Sequence, residues 1–78
     1  MFWKNAVLDA LRRYSERHNT NTVIRSKLIR EEIGNIVKDT RSKGRTPEQT
    51  LSRIMQELRD DGYVHFVDDD GTYEINNL

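Results

Sequence analysis

Thr46-Pro47-Glu48-Gln49 is the feature that most restricts what this chain can build. Thr46 carries a side-chain oxygen suited to a helix N-cap, Pro47 has the fixed φ of a first helical position, and Gln49 stands where a capping-box partner belongs. Leu51, Ile54, Met55 and Leu58 follow at three- and four-residue spacing, so one face of this helix is apolar and turns inward. Gly62 ends it, as glycine commonly does just past a helix. The spacing predicts a helix over 46–61. After it, Tyr63 to Val67 reads as a strand, Asp68-Asp69-Asp70-Gly71 as a turn and Thr72 to Ile75 as the return strand. Val64, Phe66, Tyr73 and Ile75 would share the inner face of this hairpin over 63–75.

The preceding residues must supply a core for that unit. Trp3, Val7, Ala10, Leu11 and Tyr14 fall on one side of a helix over 3–18, Leu8 widens the stripe, and Lys4, Asp9, Arg12, Arg13 and Glu16 mark the other side. Trp3 belongs to the apolar stripe, which favours a core role over base stacking. "HNTNT" is turn chemistry. Thr22-Val23-Ile24 is β-branched and short, either a strand stub that pairs with the hairpin or simple core packing. Ser26 can cap a second helix over 26–40, with Leu28, Ile29, Ile33, Ile36 and Val37 at helical spacing. Gly34 costs about 1 kcal/mol relative to Ala there, so this segment reads as one kinked helix or two short ones broken near 34. The order is helix, strand stub, helix, helix, hairpin. The expected architecture is one domain over 1–78, mainly α with a small β-hairpin (α+β), arranged as a winged helix: a helix-turn-helix followed by a wing.

Composition narrows the chemistry. The absence of cysteine excludes disulfides and thiolate metal sites and fits a cytoplasmic protein. Two distant histidines without a supporting motif offer no metal site. No apolar run reaches the roughly 20 residues of a membrane span, and no signal peptide is visible. There is no glycine-rich phosphate loop. "DDDG" lacks the spacing and distal Glu of a calcium loop. Its carboxylates sit at a hairpin tip, where no wall can desolvate them or shift a pKa. The chain is therefore expected to be neither an enzyme nor a cofactor binder.

The net charge is zero, but the charge is unevenly spread. Residues 25–45 hold seven basic groups against three acidic ones, and residues 56–74 hold one basic against seven acidic. Such a dipolar protein can present a positive face to phosphate, although solvated surface is the other reading of such runs. With Leu51, Ile54, Met55 and Leu58 inward, Gln49, Ser52, Arg53 and Gln56 point outward at 100° per residue. Arg suits guanine O6 and N7, Gln suits adenine N6 and N7, and Ser is permissive. A recognition helix enters the major groove by its N-terminal part, which brings Thr46, Pro47, Gln49, Thr50 and Arg53 nearest the bases. Arg41, Lys43 and Arg45 would contact phosphate and fix register. Glu48 falls toward the core edge and Asp60 near the far end. The acidic hairpin tip is expected to stay off the phosphates, and His65 to be an exposed bystander.

"FWKNAVLDALRRY", "GRTPEQTLSRIMQELRDDGYVHF" and "GTYEI" together resemble the C-terminal winged-helix domain of methyl-directed restriction endonucleases of the DpnI and Dam-replacing type. The likeness runs from Phe2 to Ile75. Its most specific part is the ordered set Thr-Pro-Glu-Gln-Thr-Leu, Leu-Arg-Asp-x-Gly and Gly-Thr-Tyr. The resemblance implies a reader of double-stranded DNA that recognises adenine-methylated GATC, of bacterial or phage type, beside a separate nuclease domain in a parent chain. By matching position it points to the Lys43–Arg45 loop and to Thr46 through Arg53. Binding is carried over and cutting is not, since no residue here could cleave DNA. An excised domain with an added Met1 and a small stand-alone protein both fit. For an N6-methyl group the surface offers only Thr46, Pro47, Thr50 and aliphatic stems, without an aromatic cage. The alternative function is a winged-helix module for protein–protein interaction or dimerisation, because fold alone does not give function.

Overall fold

The structure, a computed structural model, describes residues 1–41, 46–68 and 70–76. Helix α1 spans Trp3–His18, strand β1 Thr22–Ile24, helix α2 Arg25–Thr40, helix α3 Pro47–Asp60, strand β2 Val64–Phe66 and strand β3 Thr72–Ile75. The described chain is mainly helical, with a three-stranded antiparallel sheet in the order β1-β3-β2.

Each helix forms where the apolar spacing predicts. Ala6, Val7, Ala10, Leu11 and Tyr14 of α1 are buried, and Trp3 and Leu8 pack against them from the core's edge. Asn19 turns left-handed at the end of α1, and the Thr20 N–H returns to the Ser15 carbonyl at 3.2 Å. Helix α3 ends similarly. Gly62 takes φ 88°, its N–H reaches Arg59 O at 3.0 Å, and the Tyr63 N–H reaches Leu58 O at 2.9 Å, the paired closure of a Schellman motif. That closure aims the chain back along the core as β2.

Two details of α2 bear on the expectation: one removes the alternative of two short helices, and the other moves its start. The helix runs unbroken through Gly34, and it starts at Arg25, so Ser26 lies inside the first turn and caps nothing. Gly34 is exposed, and a Cβ there would meet nothing within 4 Å. Burial of Leu28 and Ile36 on the opposite side outweighs the propensity cost of one glycine.

The 22–24 segment is a strand. Thr22, Val23 and Ile24 pair with Glu74, Tyr73 and Thr72, while Val64, His65 and Phe66 pair with Ile75, Glu74 and Tyr73. β3 is therefore central, and Val23, Val64, Phe66, Tyr73 and Ile75 share the face packed on the helices. His65 lies on the outer face, exposed, opposite Glu74. The hairpin turn is closed by Asp68, whose Oδ1 accepts from the Asp70 N–H at 2.9 Å and the Thr72 N–H at 3.2 Å.

Between α1 and α2 lies a carboxylate the apolar pattern does not anticipate. Glu32 is fully buried. Its Oε1 accepts from Arg13 Nε (3.0 Å), Arg13 Nη2 (2.7 Å) and Asn35 Nδ2 (3.2 Å), and its Oε2 from Arg17 Nη2 (2.6 Å). Burial pushes this carboxyl up, but the hydrogen bonds from Arg13, Arg17 and Asn35 prevail and hold it below the ordinary glutamate range. Glu31 beside it is held down by hydrogen bonds from His18 and Arg17.

Candidate nucleic-acid interface

Helix α3 divides into two sides. Leu51, Ile54, Met55 and Leu58 are buried, while Gln49, Arg53 and Gln56 are exposed. Thr46 occupies the N-cap position and is exposed, with Pro47 in the first turn. The expected side-chain cap is not made. Thr46 instead serves through its carbonyl, which accepts from the Gln49 N–H at 3.1 Å and the Thr50 N–H at 3.2 Å. Pro47 and Thr50 are half-buried. Gln49, Thr50, Arg53 and Gln56 thus share the side of α3 away from the core, with Thr46 and Pro47 at its N-terminal end.

Ser52 departs from its expected role. Its hydroxyl accepts from Arg25 Nε at 2.9 Å and Arg25 Nη2 at 2.6 Å and donates to the Glu48 carbonyl at 3.1 Å. A hydroxyl held three ways is not available to a base edge. Arg25 also gives Nη2 to Glu48 O at 3.2 Å, and its backbone N–H binds Gly71 O at 2.8 Å. Gly71 itself has φ 95°, and a Cβ there would stand 3.1 Å from Arg25 Cβ. Arg25 therefore ties the start of α2 to α3 and to the hairpin, fixing their relative placement.

Arg53 reaches Glu57 across one helical turn, with Nη1 3.5 Å from Oε2, while two-thirds of its side chain stays exposed. That Glu57 oxygen is shielded from solvent and takes no hydrogen bond among the described residues. Glu48 is exposed, and its charge stands on the same helix as the candidate readers. Arg41 is exposed and left-handed (φ 53°) at the end of α2. Lys43 and Arg45 lie outside the described residues.

A groove of about 480 Å³ runs between α3 and the hairpin, with Arg25, Gln56, Arg59, Phe66, Asp68 and Tyr73 among its walls. The Arg59 guanidinium lies over the Phe66 ring, 4.7 Å from its centroid, and Phe66 meets Tyr73 at 4.8 Å. The expectation that nothing at the hairpin tip shifts a carboxyl's pKa fails at Asp68. Hydrogen bonds from the Thr72 and Asp70 N–H groups hold the Asp68 carboxyl below the usual aspartate range.

Sequence reasoning missed Arg25 and Glu32. Glu32 had a visible signal, since it stands midway between Leu28 and Ile36 at four-residue steps, inside the apolar stripe. Arg25 had none, because its partner Ser52 comes from a segment 27 residues away. Among the described residues, no group of three or more His, Asp or Glu side chains is placed to hold a metal ion, and no helix is long and apolar enough to cross a membrane. In comparisons with known proteins, no family model, no curated protein and no solved structure matches the chain.

Proposed function

We propose that this chain is a duplex DNA-binding module of winged-helix type, non-catalytic by itself. In this reading α2 and α3 form the helix-turn-helix, α3 is the recognition helix, and β2–β3 is the wing, braced by β1. The observation that carries it is the division of α3. The apolar row is buried, and the opposite row offers Gln49, Thr50, Arg53 and Gln56, with Thr46 and Pro47 at the entering end. These are side chains that match base-edge donors and acceptors at the part of a recognition helix that meets them. Ser52 is left out of the reading set because Arg25 holds it. The likeness to methyl-directed restriction endonucleases supplies the candidate site, GATC methylated at adenine N6, and the possibility of a nuclease partner in a parent chain.

The test is a titration with methylated, hemimethylated and unmethylated GATC duplexes at two salt concentrations. We expect methylated GATC to bind tightest, with an affinity that falls steeply as salt rises. Equal and salt-insensitive affinity for all three would end this reading.

A second reading, a protein-interaction or dimerisation module, draws support from two features. The described part of α3 carries Glu48, Glu57 and Asp60 against Arg53 and Arg59, and Phe2 is 82% exposed beside Met1. Sedimentation as a dimer, with no duplex bound at low salt, would favour it.

A further inference from the structure

Most of the basic side chains in the described residues have a partner within the protein, some tightly held and others, Arg53 among them, in loose exposed pairs. Lys4 pairs with Asp61, Arg12 with Asp9, Arg13 and Arg17 with Glu32, Arg53 with Glu57 and Arg59 with Asp60, while Arg25 is held by Ser52. Lys27, Arg30, Lys38 and Arg41 are different. All four are exposed, and none makes an ion pair among the described residues.

These four share one helix. At 100° per residue, Lys27, Arg30, Gly34 and Lys38 fall within a sector roughly 80° wide on α2, opposite Leu28, Glu32 and Ile36. Arg41 caps the same helix at its C-terminal end. Of the carboxylates beside the row, Glu31 is taken by Arg17 and His18, and Asp39 shares a shallow pocket with Lys38 and Arg13 without an ion pair to either among the described residues. From Lys27 to Lys38 the row extends about 16 Å at the rise of an α-helix, long enough to face several successive phosphates. Within it Gly34 stands midway between Arg30 and Lys38. Nothing inside the fold requires glycine there, since its Cβ would point into open space and its φ is not positive. Glycine is a poor residue for a helix interior. What it does provide is a bare backbone surface between flanking cations, where another backbone can come close.

We propose that the outer row of α2 is a phosphate-backbone surface that holds one strand of duplex DNA without reading its sequence, with Gly34 as the point of closest approach. The choice of DNA as the polyanion rests on the function proposed above, but the residues involved are separate from the α3 readers. Direct contact to phosphate by Lys and Arg supplies affinity, salt dependence and register, and leaves base choice to other groups.

The test titrates the whole chain, the triple variant Lys27→Gln/Arg30→Gln/Lys38→Gln, Gly34→Glu and Arg53→Ala. The probes are an adenine-methylated GATC duplex, a duplex lacking GATC, and vesicles of phosphatidylcholine with phosphatidylserine, across a salt series. Gln keeps the helix propensity and solvent exposure of the row, and circular dichroism checks that each variant is folded. Each lost phosphate contact should lower the slope of log K against log salt by about 0.9, so the triple variant should lose about 2.7. That loss should be equal on both duplexes, leaving their affinity ratio unchanged. Gly34→Glu should weaken both duplexes alike. A wild type that binds both duplexes equally, and loses both with the row, supports this surface while removing base reading by α3. A wild type that discriminates, with a slope the triple variant leaves intact, removes this surface and keeps α3. Loss confined to the GATC duplex, wild-type binding by Gly34→Glu, or vesicle binding without duplex binding would each overturn the proposal.

Discussion

Glu32 is the one buried charged side chain among the described residues, and it accepts four hydrogen bonds. It is wholly buried, whereas the Arg13 and Arg17 side chains that hold it are 38% and 44% exposed. The asymmetry decides what substitution does. Arg13→Met leaves a buried carboxylate short of two hydrogen bonds, and we expect it to destabilise the fold by about 2–4 kcal/mol in urea unfolding. Glu32→Met leaves guanidiniums that can turn to water and fills the site with an apolar chain, so we expect a change within about 1 kcal/mol. The pH dependence follows in sign. A carboxyl held below its ordinary value in the folded state stabilises fully above that value, and its contribution disappears as pH falls through the folded one. Wild-type stability should therefore drop on acidification below about pH 4–5 more steeply than that of Glu32→Gln. Equal acid profiles would remove this role. The sequence shows where Glu32 lies on the stripe, but not that Arg13 and Arg17 from another helix would meet it.

At the scale of elements, helices were the most legible part of the chain. The rows in α1 and α3 run long enough for period and burial to coincide, and the Gly62 closure was readable because glycine is the residue that takes the left-handed position without strain. Of the two readings of α2, one helix and two short ones, the single helix forms because a propensity penalty of about 1 kcal/mol is small beside the burial of Leu28 and Ile36. The same fact gives a prediction. Gly34→Ala, exposed, helical and with open space around its Cβ, should raise stability by about 0.5–1 kcal/mol in thermal or urea unfolding. A loss of stability would mean that the helix needs glycine at that point. On α3, Arg53→Ala removes an exposed guanidinium whose internal partner is a single loose ion pair to Glu57, so stability should change by under about 0.5 kcal/mol. If Arg53 reads a base, discrimination between duplexes should fall by about 1–3 kcal/mol. Among the candidate residues, Ser52 is half-buried because α2 delivers Arg25 to its hydroxyl, a tertiary contact that periodicity cannot carry.

For the whole molecule, zero net charge conceals a division of labour among cations. Those between elements are spent on internal pairs, and those on the outer row of α2 are left to solvent. The sheet shows the same limit of sequence reasoning. The hairpin pattern was visible in Val64, Phe66, Tyr73 and Ile75, while the pairing of β1 with β3 was only one of two readings, because three β-branched residues do not reveal their partner. Arg25 then joins these pieces, reaching Ser52 on α3 and Gly71 at the turn, and so sets how the hairpin stands beside α3. The most direct test of the account is amide chemical-shift mapping on adding an adenine-methylated GATC duplex. We expect the amides from Thr46 to Gln56 to move most, with those along the Lys27–Lys38 row following. Shifts confined to α1 or the outer face of the sheet, with Thr46 to Gln56 unmoved, would contradict it.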